Sequence, residues 1–509
     1  MVAGRPVASG AGVTVRWPVF NVADWETLST ELRSARGPAT PNLVARWQHA
    51  LQGVPEILMG QTEILEAIVG YTGYPASMLM LAFAQGELMQ LDVLARAIQD
   101  APTWAAARTW QPMPGGLPGS LRFFPARRFD RWVASLRGKR LLFQPASKTA
   151  LALGFGAGNV PGNGLLSALQ LHIANHTILG GGSERPPAVL VRNSRQAPLL
   201  APWVLSAVER IDPELVAGLA MLIWDYGDTA LQRKLLGEAD LVMAAAGDAT
   251  IASIDAHLRA IGSPARFHRH GHKVSFAVIG RAALRDDPGL PAGLAALDST
   301  FWDQYGCLSA RVHFVERGGQ HSPADYASAV CSAMQKLAHR IPRGVAPLRF
   351  LHRAYDTYKL LERHGSVRVL TDYEDDHLVV LDERTWNADQ WRETVNRCTG
   401  RVVVVRPVED LSEISARYLS QLPPANLQSM SVAVDGRRVL QLAEEVGACG
   451  VTALRSLGRA AFPKMAYSWD GLLPLDLGNV RPEGYFTTLE ANDPLADLSR
   501  IAAQVGLSG

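Results

Sequence analysis

The chain has 509 residues, is 48% hydrophobic, and carries 50 basic against 48 acidic side chains for a formal charge of +2. That length exceeds the roughly 250–300 residues at which one hydrophobic core stops growing, so two or three packed lobes are expected. The near-neutral balance, without any long block of Lys or Arg, lacks the electrostatic footprint of a nucleic-acid binder and fits one anionic ligand better. Residues 1–12 have no basic start followed by an apolar run, and the longest apolar stretches, such as 78–84, fall far short of the about 20 residues that span a bilayer. A soluble, cytoplasmic protein without a membrane span is the expectation. The four cysteines (Cys307, Cys331, Cys398, Cys449) show neither CxxC nor Cys/His ligand spacing, which argues against a zinc site and against a disulfide framework.

In chain order, residues 20–110 read mainly as helices, with apolar residues at three- and four-residue intervals over 43–51, 63–69 and 86–98. The run Pro112-Met113-Pro114-Gly115-Gly116-Leu117-Pro118-Gly119 stops any helix, because proline removes donors and glycine relaxes the backbone. A boundary is therefore placed at 119. From about residue 140, short apolar runs alternate with amphipathic stretches: 150–155, 165–174, 188–191, 199–208, 219–225, 231–236, 240–246 and 250–261. Such alternation implies a parallel sheet covered on both faces, with ligands at the carboxyl ends of its strands. Strands at 274–279, 311–316, 367–370, 377–381 and 402–405, with helices at 326–341 and 388–397, predict a second α/β lobe. The acidic cluster 372–376 reads as a solvated turn rather than a metal site.

The segment Gly154-Phe155-Gly156-Ala157-Gly158-Asn159-Val160-Pro161-Gly162 follows a predicted strand but does not match GxGxxG. It is either a tight strand-to-helix turn or a place where Asn159 and nearby amides donate to a developing oxyanion. Cys307 lies in Asp303-Gln304-Tyr305-Gly306-Cys307-Leu308-Ser309, on a loop before a strand. Spacing alone does not separate it from the small buried hydrophobe that a lone thiol usually is, which is the reading for Cys331, Cys398 and Cys449. No GxxxxGK[ST], HExxH or GxSxG is present, so ATPase, zincin and nucleophile-elbow hydrolase chemistries lack their carriers.

Four blocks in order, Gly156-Ala157-Gly158-Asn159-Val160-Pro161-Gly162, Gly271-His272-Lys273-Val274-Ser275-Phe276, the Cys307 segment, and Trp469-Asp470-Gly471-Leu472-Leu473-Pro474-Leu475, together resemble the LuxC family of acyl-CoA reductases. That family is the fatty-acid reductase component of bacterial bioluminescence, within the aldehyde dehydrogenase superfamily. The resemblance spans roughly residues 120–485 and implies an aldehyde-dehydrogenase-like α/β fold. It divides the chain into a helical N-terminal region (1–119), a Rossmann-type nicotinamide-binding domain (120–280), a catalytic domain (281–462) and a C-terminal segment (463–509) that builds an oligomer or closes the site. It implies that Cys307 is the acyl-carrying nucleophile and that Asn159, with the Cys307 amide, polarises the thioester carbonyl. The superfamily's Lys-Pro-Ser-Glu stretch is matched by Arg192-Asn193-Ser194-Arg195, and arginines pair with a ribose 2′-phosphate where a glutamate repels it. NADPH is therefore expected, held by Arg192, Ser194, Arg195, Gly247, Thr250 and Gly271. Asp248 is out of place near a phosphate.

The superfamily's Glu-Leu-Gly-Gly-Lys, which carries the deacylating base, is matched by Arg269-His270-Gly271-His272-Lys273. With no glutamate there to activate water, hydrolysis of the acyl-enzyme is expected to be slow, as suits a reductase. A low-pKa thiol is needed at neutral pH, and His270, His272 and Lys273 are the candidates for depressing it. The Trp469 block is given no catalytic role. The expected activity is NADPH-dependent reduction of a fatty acyl thioester, on CoA or an acyl-carrier protein, to the aldehyde. The resemblance also implies an acyl-protein synthetase partner and a homo-oligomer. Two alternatives stay open: an acyltransferase that passes the Cys307 thioester to another acceptor, and a non-catalytic scaffold subunit.

Overall fold

A computed structural model describes residues 5–10, 13–17, 19–35, 42–85, 91, 109–125, 150–179, 187–225, 227–344, 347–473 and 484–507. The chain opens with a hairpin, β1 (Arg5–Gly10) and β2 (Val13–Trp17), which periodicity did not single out. Helices α1 (Val22–Ala35), α2 (Leu43–Gly60), α3 (Thr62–Thr72) and α4 (Ala76–Gln85) follow, and the helix expected over 86–98 lies almost wholly outside the described residues. Where the proline- and glycine-rich run stops helix formation, the short strands β3 (Gln111–Pro112) and β4 (Ser120–Pro125) form around a 3-10 turn.

Short, unbroken apolar runs form strands that are buried on both faces. Five make the first sheet: β5 (Leu151–Phe155), β6 (Ala188–Arg192), β7 (Leu219–Leu222), β8 (Leu241–Ala245) and β9 (Arg266–His270). Their order is β7-β6-β5-β8-β9 and every pairing is parallel. Because the order reverses at β5, a crevice opens beyond the carboxyl ends of β5 and β8. β9, Arg-Phe-His-Arg-His, is a polar edge strand and gave no strand signal on its own.

The second sheet has ten strands, and β10 (Val274–Ile279), buried at every position, lies inside it. On one side follow β11 (Ala310–Glu316), β14 (Val402–Val408), β13 (Leu378–Asp382) and β12 (Val367–Val369). On the other follow β15 (Leu427–Ala433), β16 (Ala453–Ser456), β17 (Gly484–Leu489), β4 and β3. Pairing is parallel from β13 to β17 and antiparallel at both ends. Two strands assigned from the sequence to the region 120–280, β4 and β10, thus hydrogen-bond into this sheet, and β17 brings the C-terminal segment into it as well. The chain passes from one sheet to the other in the three residues between β9 and β10.

Among the described residues no single helix is long and apolar enough to cross a membrane; α3 and α4 pass that test only as a pair bent by 103°. Their apolar side chains pack into the largest core cluster, with Met78 and Leu79 essentially inaccessible. Cys331 and Cys398 are buried and Cys449 half-buried. The 372–376 segment is a turn in which Asp376 pairs with Arg401 and His377.

Candidate active site

Cys307 sits just before β11, at the amino-terminal edge of the ten-stranded sheet, facing the carboxyl-end crevice of the other sheet. The approach to it is strained. Trp302, Asp303 and Gln304 take φ of 54°, 48° and 63°, a left-handed conformation that costs about 1–3 kcal/mol per non-glycine residue and persists only where surroundings enforce it. Gln304 enforces it from inside: its Nε2 donates to the carbonyls of Ala310 (2.9 Å) and Val402 (2.8 Å), and its Oε1 accepts from the Val402 amide (2.8 Å). The side chain thereby takes the place of a missing rung between β11 and β14. Asp303, fully buried, accepts from Arg401 (2.9 Å) and from the Gly344 amide (2.9 Å). On the far side, Ser275 Oγ donates to the Cys307 carbonyl (2.8 Å).

Asn159 lies in the loop after β5, and the fold brings it to the loop that carries Cys307. Its Nδ2 donates to the Tyr305 carbonyl (2.8 Å), which leaves a second amide proton for another acceptor. Tyr74, between α3 and α4, donates its hydroxyl to the carbonyls of Asn159 (3.1 Å) and Trp302 (3.3 Å). The N-terminal helices therefore brace both loops, a part that the sequence did not announce.

Cys307 lines an apolar chamber with Leu79 and Phe83 of α4, Leu166, Met465, Trp469 and Leu473. Burial, and after it the negative charge of Asp470, push the thiol up to about 11; the Gln428 side chain and Lys273 oppose this. The expected depression by neighbouring cations is thus outweighed in the structure as it stands. Lys273 donates its Nζ to the Ala425 carbonyl (2.6 Å) and acts on the thiol through charge alone, while His272 is exposed.

Asp470 is a residue the sequence placed outside the site. The turn 468–472 swings it, at φ 52°, against the end of β9. One carboxylate oxygen meets His270 Nδ1 at 2.9 Å, the other accepts from Gln428 Nε2 at 2.7 Å, and the His270 ring stacks on Trp469 with centroids 3.9 Å apart. The absence of a glutamate in 269–273 therefore does not leave the thiol without a carboxylate neighbour. The Asp-Gly dipeptide was a legible turn signal; Gln428, on β15, carried none. Pro474, Leu475 and Asp476 lie outside the described residues.

On the crevice side, Gly158 allows the β5 loop to lie on Ser194 and Gln196, since a Cβ there would collide with both side chains. Ser194 and Arg195 form the rim beyond β6. Arg195 pairs with Asp225 at 3.2 Å, both well exposed. Arg192, expected beside it, points inward instead: it is 3% exposed and donates to the Trp224 carbonyl at 2.9 Å, because the last residue of β6 faces the core. Across the crevice Gly247 is exposed at the start of the helix Asp248–Ala260, with Thr250 in its first turn. Asp248, in that first turn, accepts the His272 amide (2.8 Å) and packs so close to Gly271 that a Cβ there would lie 2.5 Å from its oxygen, so its carboxylate stands at the helix start.

Two α/β sheets that face each other, with an asparagine loop from one meeting a cysteine loop from the other, define an aldehyde-dehydrogenase-like fold. Solved structures of similar fold include lactaldehyde dehydrogenase from Escherichia coli (14% identity, TM-score 0.57, 96% of each chain covered). Others are indole-3-acetaldehyde dehydrogenase AldA of P. syringae in complex with NAD+ and IAA (14%, 0.58, 96% of this chain and 92% of that one) and aldehyde dehydrogenase 21 of Physcomitrella patens in complex with succinate (12%, 0.56, 98% and 92%). No curated protein sequence matches the chain. The family model for acyl-CoA reductase (LuxC) matches residues 132–477, and the chain belongs to that family. It is thereby an oxidoreductase acting on acyl or aldehyde groups.

Proposed function

We propose that the protein reduces a fatty acyl thioester, carried on CoA or an acyl-carrier protein, to the aldehyde through a thioester on Cys307, with NADPH as reductant. The observation that carries this reading is the position of Cys307, at the meeting of an apolar chamber and the Asn159 loop. An acyl chain gains about 0.8 kcal/mol per buried CH₂ in such a chamber. Cys307 attacks the acyl carbon, the carrier thiol departs, and the second Asn159 amide proton with the Cys307 amide stabilises the oxyanion. Loss of one such donor typically costs about 10²–10³ in rate.

The crevice suits a dinucleotide: the helix Asp248–Ala260 offers amides of its first turn to phosphate, and Gly158 lets the β5 loop lie against Ser194. Ser194, Arg195, Gly247, Thr250 and Gly271 would hold the cofactor, which supplies a hydride to the acyl carbon. The NADPH preference rests on Arg195 alone, with Asp225 as its competitor for that charge. An exposed ion pair of this kind is worth about 0–1 kcal/mol, so Arg195 is free to turn to a 2′-phosphate. Arg195→Ala is expected to lower kcat/KM for NADPH about tenfold or more with little change for NADH, and Asp225→Asn to favour NADPH further. Equal loss with both cofactors would overturn the preference.

The test of the activity itself is a panel of acyl-CoAs of graded length, with nicotinamide oxidation followed by absorbance and aldehyde by mass spectrometry. Acylation of Cys307 without oxidation would point to acyl transfer, and absence of Cys307-dependent label to a scaffold.

A further inference from the structure

Acyl transfer to Cys307 and its reduction there leave one proton without a carrier. The Cys307 thiol must lose it during attack, the departing carrier thiolate must gain one, and after reduction the released Cys307 sulfur must gain one again. We propose that His270, oriented by Asp470, is the group that moves this proton in both half-reactions, an inference that rests on Cys307 being the acyl-carrying nucleophile.

Three observations converge. First, His270 and Asp470 side chains are each 3% exposed and joined Nδ1 to Oδ2 at 2.9 Å. Although burial works against it, Lys273, His270 and Gln428 together hold the Asp470 carboxyl below its ordinary value. An ionised carboxylate there accepts from Nδ1–H, fixing the tautomer in which Nε2 carries the lone pair. Second, Nε2 is buried and has no hydrogen-bond partner among the described residues. A buried acceptor left unmade costs about 1–3 kcal/mol, and Trp469 stacked on the ring keeps it from turning away. Third, His270, Cys307 and Gln428 line the same chamber, and Gln428 donates to Asp470. The other basic groups nearby are engaged differently: Lys273 on the Ala425 carbonyl, and Arg311 on the Val395 carbonyl.

The atoms balance as follows. In the first half-reaction the bond from Cys307 sulfur to the acyl carbon forms and the bond to the carrier sulfur breaks; the thiol proton passes to Nε2 and on to the carrier thiolate. In the second, hydride arrives at the acyl carbon, the bond to Cys307 sulfur breaks, the aldehyde leaves, and Nε2 returns to sulfur a proton drawn from solvent. One thioester, one hydride and one proton become one aldehyde and one thiol. Asp470 is a positioning residue in this scheme.

The test uses iodoacetamide on the full-length protein, with Cys307 labelling quantified by mass spectrometry from about pH 6 to about pH 10, since alkylation reads thiolate character without any acyl substrate. The charged and titratable groups around the pair are Lys273, between β9 and β10, the Cys307 thiol, and Arg455 and Lys464, which line the same chamber. In the wild type, a proton acceptor gives a labelling rate that is already substantial and nearly flat around neutrality. His270→Gln lowers it about 10²-fold near pH 7, Asp470→Asn lowers it less, and both approach the wild type near pH 10, where hydroxide ionises the thiol directly. A wild-type rate that climbs steadily toward the buried thiol's own high value, or a deficit in His270→Gln that is the same at every pH, overturns the proposal. The wild-type profile stands even if a variant fails to fold. Acyl labelling of the wild type is measured in parallel: its failure removes the Cys307 acyl-enzyme, while the alkylation profile still decides whether His270 takes the thiol proton.

Discussion

Cys307→Ala is expected to abolish acyl labelling and to lower acyl-CoA-dependent nicotinamide oxidation by at least about 10⁴-fold, the scale set by removal of a covalent nucleophile. The fold should not notice. Cys307 is half-buried at a chamber wall, and its backbone, through which Ser275 Oγ holds the loop, is unchanged by the substitution. Thermal unfolding within about 1 °C of the wild type is expected, since for a chain this size a shift of about 1 °C corresponds to about 1 kcal/mol. Labelling with radiolabelled acyl-CoA, read beside the oxidation assay, checks both parts. Label that persists in Cys307→Ala would move the acyl group to another residue. Cys331 and Cys398 are poor candidates, because both are buried and neither lines the chamber.

Arg401→Met produces the second large effect, this time through the scaffold. Arg401 is 1% exposed, itself in a left-handed conformation, and joins Asp303 to Asp376 while donating to the carbonyls of Ile341 and Pro342. Without it, buried Asp303 keeps the Gly344 amide and the charge of Arg343. Breaking one side of a buried pair typically costs about 3–5 kcal/mol, and the strained 302–304 segment that aims Cys307 loses its outer tether. Urea unfolding should show that loss, with activity reduced in the fraction that remains folded. The sign of its pH dependence is also set. Burial already raises the Asp303 carboxyl, against the pull of Arg401 and Arg343. Removing Arg401 raises it further, so the folded variant binds a proton more tightly than the unfolded chain and stability falls as pH rises through that folded-state value. The deficit relative to wild type is therefore larger near pH 7 than near pH 5. Asp303→Leu combined with Arg401→Met should recover part of it, since no charge is then left unpaired.

The strands of both sheets that are uniformly apolar were legible in the sequence: 188–191, 240–246, 274–279 and 402–405 fall on β6, β8, β10 and β14. Burial on two faces demands unbroken apolar runs, and runs this short between turn signals fit a strand better than a helix. The helix at 388–397 was equally plain, because its apolar stripe and its Asn387 capping box are local. β9 escaped because an edge strand that faces solvent need not be apolar, and the β1–β2 hairpin escaped because two short strands leave a weak alternation. Sheet membership escaped for a different reason: β4 and β10 look like any strand until their partners, β17 and β15, are found hundreds of residues away in the chain.

The same division holds at the site. Cys307 and Asn159 could be singled out only through four blocks read together, since neither loop is decisive alone, and the resemblance to acyl-CoA reductases rests on that order of blocks. What local sequence does not contain is which side chains converge from distant segments. Arg192 was expected on the cofactor and faces the core, because the outcome depends on whether the last residue of β6 falls on the inner or outer side of the sheet, a matter of register. Asp470 was expected to be structural and reaches the neighbourhood of Cys307, because a turn of positive φ delivers it against β9. Motifs along the chain singled out one thiol of four as the candidate nucleophile; packing of the two sheets alone decided that a histidine paired with a carboxylate would line the same chamber.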